Sequence, residues 1–299
     1  MPAIRAADLP AAVTLGTGQG GLPVLRVAGR DADAEVYLHG AHVTAWRPAG
    51  QDPVLWLSAA SRFAPGSAIR GGVPICFPWF GPAPGGRAPS HGFARLATWH
   101  LLDATDDGAA VTLVLGLTDA DVTDLPGAGE WPHPFTLTYT VTVGAELTLA
   151  LTVQNTGREP VVLEEALHTY LAVRDVTAVR VEGLDGAAYL DKAAGAGQQR
   201  TQHGPVTLTE ETDRVYRSTA PTTVVDPAAS RAVTVTKDGS ASTVVWNPWA
   251  AKAAALPDVA DGAWRSMVCV ETANALDDAV TLDAGASHTM TARYAVAAQ

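Results

Sequence analysis

The sequence is poor in charge, in cysteine and in helix-forming pattern, and each scarcity narrows what the chain can be. Charged residues make up 17% of the 299 positions, and the 20 Lys and Arg are outnumbered by 31 Asp and Glu, a net charge of −11. A nucleic-acid partner needs a basic face, so this balance argues against one. A small anionic ligand needs only a local cationic pocket and stays open. The two cysteines, Cys76 and Cys269, lie far apart in sequence and fit a reduced protein better than a disulfide framework. No run of 18 apolar residues is present, so no membrane span is expected. The first residues, MPAIRAADLPAAVTLGTG, lack the apolar core of a secretory leader. A cytoplasmic location is the expectation.

Motifs are also missing. There is no GxGxxG and no GxxxxGKS to cradle a nucleotide, no HExxH and no cysteine cluster for a metal, and no GxSxG elbow. His39 and His42 in HGAH would fall on opposite faces of a strand, a poor arrangement for one ion. The expectation is a protein with no metal and no cofactor.

What is present is period-2 alternation. FTLTYTVTV (135–143) and ELTLALTVQN (146–155) alternate apolar and polar residues around a tight Gly144-Ala145 connection and read as an antiparallel hairpin. GLPVLRVAG, AEVYLHGAHVTAWRP, AAVTLVLGL, TAVRVEGL, RAVTVTK, STVVW, MVCVET, AVTLDAG and HTMTARYAV are similar β-branched runs bounded by turn residues. PVVLEEALHTYLAV (160–173) reads as one further strand. Helical or turn pattern is confined to DVTDLPGAGEW and AAKAAALPDVADGAW (250–264), the latter with the Ala-rich WAAKAAALPD. Many short strands with no fixed repeat and no linker predict an all-β chain, a large antiparallel β-sandwich or barrel forming one domain over 1–299.

Candidate chemistry is scattered. In PVVLEEALHTYLAV, Leu163, Leu167 and Leu171 define one strand face and His168 the other, so His168 is either a solvated histidine on an open sheet face or a site residue. Glu271 ends a short apolar strand. It is either hydrated or desolvated enough to act as a base. Asp213 sits in a charged loop, EETDRVYRST. VVWNPW supplies aromatic faces of the kind that pack on sugars. The segment SAIRGGVPICFPWFGPAPGGRAPSHGFARLATW (67–99) is too broken for a helix and too long for a hairpin loop. Its Arg70 precedes Gly71-Gly72, a pair that lets a ligand approach the backbone. Its Arg95 closes HGFAR, four residues after His91. Two guanidinium forks suit a phosphate or carboxylate, or they pair with buried acids in the core.

Taken in order, LHGAHVTAWRP, SAIRGGVPICFPWFG, SHGFAR, EEALHTYLAV, GLDGAAYLDK, DRVY, VVWNPW and MVCVETAN resemble the aldose 1-epimerase (mutarotase) family, specifically its hexose-6-phosphate branch. The resemblance spans nearly the whole chain. It implies a galactose mutarotase-like supersandwich with an open sugar cleft on one concave sheet. It implies an isomerase of sugar-phosphate anomers, with His168 as general acid and Glu271 as general base. Arg70, His91, Arg95 and Asp213 fall at substrate-binding positions. Phe77, Trp79 and Phe80 are expected to shape or cover the cleft. Where the branch often has Gln before HGFAR, this chain has Ser90, which cannot make the same contact. The resemblance further implies a monomer that needs no cofactor or metal, with a small sugar phosphate as its partner. The alternatives are an epimerase of free sugars and a carbohydrate-binding protein without turnover.

Overall fold

The alternating segments form strands and pair antiparallel into two large sheets and two small ones. The computed structural model describes residues 8–83, 86, 89–195 and 197–299. One large sheet has nine strands in the order Val206–Thr207, Arg180–Glu182, Thr222–Asp226, Arg231–Asp238, Ser287–Ala298, Leu147–Asn155, Phe135–Val143, Val111–Thr118 and His100–Asp106. The expected hairpin is at its heart, Phe135 opposite Asn155 and Val143 opposite Leu147. The other has eight strands: Gln198–Thr201, Ala188–Asp191, Thr212–Arg217, Ser242–Asn247, Met267–Asn274, Glu165–Leu167 and Ile75–Cys76 in order, with Tyr170–Ala172 also paired to Met267–Asn274. Four strands from Val13 to Pro48 form a third sheet, and Val161–Leu163 pairs with Val280–Leu282 in a fourth.

Inward side chains of both large sheets and of the four-stranded sheet belong to one buried apolar cluster. Leu137, Leu149, Leu151 and Met290 come from the nine-stranded sheet, Leu167, Val245, Val268 and Val270 from the eight-stranded one. That is a β-sandwich, with each strand's alternate residues facing the shared core. Among the described residues, helix is limited to the short Trp249–Ala254 segment and isolated 3₁₀ turns, among them Asp119–Asp121 at the start of the DVTDLPGAGEW stretch read as helical or turn and Ala128–Glu130 within it.

Three details differ from the expectations. The 160–173 run is three short strands, Val161–Leu163, Glu165–Leu167 and Tyr170–Ala172, the first in a different sheet from the other two. His168 does not lie on a solvated face: loops cover that side of the sheet, and the residue is only 6% exposed. Phe77 and Trp79 belong to the main apolar core, and only Phe80 of the three lines the cleft described below. His39 and His42 are both buried, each with Nε2 on a carbonyl oxygen 2.7 Å away, Ser67 and Gly71 respectively. They brace the 67–72 segment. Burial without a charge partner lowers the His42 pKa to about 3, which keeps it neutral.

Gly71 has a structural reason to be glycine. Its φ is +111°, and a Cβ there would meet the Trp56 carbonyl oxygen at 2.5 Å. The space expected for a ligand is filled by the protein's own backbone. The close packing fixes where the neighbouring Arg70 leaves the chain.

Candidate active site

Strand register assembles the site. On Met267–Asn274, the residues at every second position, Cys269, Glu271 and Ala273, share one face. Cross-strand partners extend that face: Trp246 and Tyr170 lie opposite Cys269, Val244 opposite Glu271, and Asp213 opposite Trp246. His168, two residues before Tyr170, joins the row. Its ring stacks on Tyr170 at 4.8 Å and 7°, and meets Trp246 edge-on at 5.9 Å.

The row floors a cleft of about 470 Å³. Arg70, His91, Arg95, His168, Asp213 and Glu271 all line it, so all six residues singled out from the sequence converge. Sequence reasoning gave no role to Lys192, Lys252 or Leu256, which line it too. Lys192 lies within GLDGAAYLDK, a segment that carried the resemblance but offered no chemical signal of its own. Strand alternation could have found Tyr170, which two residues after His168 falls on the same face.

His168 and Glu271 are in contact, Nδ1 to Oε1 at 3.5 Å, with Glu271 1% exposed. His168 Nδ1 and Glu271 Oε2 are buried with no hydrogen-bond partner in the structure, so the contact leaves both unsatisfied. Burial pushes the Glu271 carboxyl well above the usual carboxylate range, and nearby Asp213 adds to it. Burial holds the His168 imidazole well below its ordinary value, with Arg95 and Arg70 contributing. Both shifts favour the neutral forms, the opposite of the modest adjustments toward a carboxylate and an imidazolium that unperturbed values invite. The proton count reconciles the two pictures. A Glu⁻/HisH⁺ pair and a GluH/His pair hold one proton each way, so the buried contact is a one-proton unit whose proton can sit on either member.

The cations are held unequally. Arg70 donates from Nε to Asp258 Oδ2 at 3.1 Å and from a terminal nitrogen to the Tyr170 hydroxyl at 3.0 Å. Arg95 donates to the Ser90 carbonyl oxygen at 2.6 Å, its Nε is unpartnered, and among the described residues no carboxylate forms an ion pair with it. Ser90 thus serves the cleft through its backbone. Lys192 stands 3.5 Å from Asp213 and over the Phe80 ring, and Lys252 pairs with Glu211 at 2.8 Å. Arg87, the third arginine of the 67–99 segment, lies outside the described residues. The two cysteines are free, buried thiols.

The loop that presents His91 is closed at its base. His91 has φ +62°, and Gly92, at φ +71°, sits so close to Phe77 that a Cβ would meet its carbonyl oxygen at 1.9 Å. Glu164 ties this loop to another: its carboxylate accepts from the Phe80 N–H at 2.9 Å and the Leu276 N–H at 2.6 Å.

An antiparallel β-sandwich with a buried carboxyl–imidazole pair on the floor of a cation-rimmed cleft defines a class of protein built to move protons on a small polar ligand. The chain belongs to the aldose 1-epimerase family, whose model matches residues 24–295. It is 39% identical over 243 residues to an Escherichia coli K12 protein named "Putative glucose-6-phosphate 1-epimerase", covering 81% of this chain and 80% of that one. A Cenchrus ciliaris protein of the same name is 36% identical over 275 residues, covering 88% and 80%. A solved structure from Salmonella typhimurium, described as a "putative mutarotase (YeaD)", superimposes with a TM-score of 0.87 at 31% identity, over 100% of this chain and 97% of that one. The supersandwich expected from the resemblance is the fold observed.

Proposed function

We propose that this protein interconverts the α and β anomers of a hexose 6-phosphate, glucose 6-phosphate being the first candidate, by opening and reclosing the pyranose ring. The observation that carries the reading is the His168–Glu271 contact buried under a cleft lined by Arg70, Arg95, Lys192 and Lys252. The names of the relatives point the same way. Sugar binding alone would leave a desolvated acid–base pair without a use.

In the proposed reaction the closed sugar meets the ion-paired form. Glu271 takes the proton of the C1 hydroxyl while His168 delivers one to the ring oxygen O5. The C1–O5 bond breaks and the C1 aldehyde forms. The pair is then GluH/His, the form that burial favours, and the total proton count is unchanged. Rotation about C1–C2 presents the other aldehyde face, and the two transfers run in reverse. Nδ1 of His168 faces Glu271, so Nε2 is the nitrogen left for O5. Each transfer supplies about 10²–10⁴-fold. Asp213 and His91 hold sugar hydroxyls, and Arg95 with Arg70 holds the phosphate. Residues 1–299 are read as one unit because the cleft draws on chain from Arg70 to Glu271. The enzyme is read as a cytoplasmic monomer, without cofactor or metal, that binds no nucleic acid or membrane.

NMR magnetisation transfer measures anomer exchange directly. Wild type should accelerate exchange of glucose 6-phosphate and not of glucose, and His168→Ala should abolish it. Acceleration of glucose alone would move the protein to free sugars. No acceleration of either, with binding retained, would leave a carbohydrate-binding protein.

A further inference from the structure

His91 is packed on three sides before any ligand arrives. Phe80 meets its ring edge-on at 4.9 Å and His168 meets it at 5.5 Å. Its Nδ1 lies 3.2 Å from the Gly81 N–H and 3.4 Å from Cys76 Sγ. The peptide N–H can only donate, so Nδ1 is an acceptor and carries no proton. The Cys76 sulfur is then left one role toward the same atom, that of S–H donor.

The surroundings of Cys76 support that role. It is fully buried on the short Ile75–Cys76 strand, opposite Ala166 and beside Phe80, Val215 and Val244. Burial pushes the thiol far above its usual range, so it keeps its proton. Burial and the positive charges of Arg95, His168, Lys192 and Arg70 hold the His91 imidazole well below its ordinary value, so it is neutral. A neutral imidazole without a proton on Nδ1 carries it on Nε2.

We propose that Cys76 is a positioning residue: its S–H, together with the Gly81 N–H, holds His91 Nδ1 as an acceptor and fixes the tautomer whose Nε2–H donates to a sugar oxygen in the cleft. His91 is thereby a neutral hydrogen-bond donor and adds no second positive charge beside His168. The donation to sugar rests on the functional reading above. The tautomer does not.

The test has two arms. In ¹⁵N-labelled, ligand-free protein, long-range ¹H–¹⁵N correlation spectra should show His91 neutral with its proton on Nε2 from about pH 6 to 9. A charged ring, or a proton on Nδ1, overturns the proposal whichever sugar is turned over. In steady-state exchange, Cys76→Ala should raise KM by about 3- to 10-fold, the worth of one modest hydrogen bond, with kcat within about twofold. Cys76→Ser, which restores a donor to Nδ1, should return KM to near wild type. Unchanged KM in Cys76→Ala, or equal losses in Ala and Ser, reduces Cys76 to packing and refutes the assignment. If Cys76→Ala does not fold, the wild-type spectrum and Cys76→Ser kinetics still decide: an Nε2–H ring with wild-type KM in the serine variant supports it. Wild-type protein that exchanges no sugar would remove the functional reading and leave the tautomer result standing.

Discussion

Both large sheets turn polar groups away from the shared core, but into different surroundings. In the nine-stranded sheet they face out. Phe135–Val143 alternates buried and half-buried along its length, and threonines pair across the outer face, Thr152 with Thr289 at 2.8 Å and Thr112 with Thr142 at 3.2 Å. In the eight-stranded sheet the outer face is roofed by loops. Met267–Asn274 and Ser242–Asn247 are buried throughout, and the first of these carries Glu271 inside. A threonine facing water needs nothing further, whereas a carboxyl under a roof has its acidity set by the protein. One sheet holds the fold and the other holds the proposed acid–base pair.

The comparison is sharpest when one residue is changed in each sheet. Glu271→Gln keeps the shape and removes the proposed base. Exchange should fall by at least about 10²-fold, while Tm holds or rises because a carboxyl whose charged form burial disfavours has been replaced by a neutral amide. Leu151→Ala, in the nine-stranded sheet, should cost about 2–5 kcal/mol of stability and leave the rate per folded molecule unchanged. Thermal melts and NMR exchange on both proteins read the two axes. A variant that loses both together would break the division of labour. For wild type, kcat/KM against pH should be bell-shaped. Its acid limb, where the pair gains a second proton, lies below the ordinary histidine range near 6.5. Its alkaline limb, where the last proton leaves, lies above the ordinary carboxylate range.

This division also decided what was legible in the sequence. Where one face meets water, alternation appears in the letters, and the 135–155 hairpin was readable to within a residue. Where both faces are covered, alternation disappears. EEALHTYLAV then reads as a single strand on which His168 is either solvated or in a site, because the chain that covers His168, His91 among it, comes from dozens of residues away. His168, Glu271 and the arginines became identifiable only through the resemblance, since isolated residues do not announce a cleft. Lys192, Asp258 and the Cys76–His91 contact depend on tertiary packing that no local pattern encodes.

The arginines test the roofed side more finely. Arg95 has no carboxylate partner among the described residues, whereas Arg70 is already paired with Asp258. Arg95→Ala should therefore raise KM for glucose 6-phosphate the more, by about 10- to 100-fold for a lost charge-assisted bond. Arg70→Ala should act in the same direction with a smaller effect. Both should change KM for free glucose far less. Equal effects on the two substrates would remove the phosphate from the site.

The smallest effect is expected where the two sheets meet. His288, on the Ser287–Ala298 strand, places Nε2 3.2 Å from Oε1 of Glu165, which is completely buried on the strand leading to His168. Asn274 donates to the same carboxylate oxygen at 2.9 Å. Hydrogen bonding to Glu165 raises the His288 pKa above its ordinary value despite the opposing effect of burial. A raised folded-state value means that the pair's stabilisation is full below the unfolded histidine value of about 6.5 and fades as pH rises through the raised one. His288→Gln should thus lower Tm more at about pH 5.5 than at about pH 8.5. The difference between the two pH values should be about 1–3 °C, modest because His288 is partly exposed. Calorimetry on both proteins at both pH values measures it. A Tm loss that does not vary with pH would mean that His288 packs against the sheet junction without titrating there. The His288–Glu165 link between the two sheets would then carry no charge of consequence.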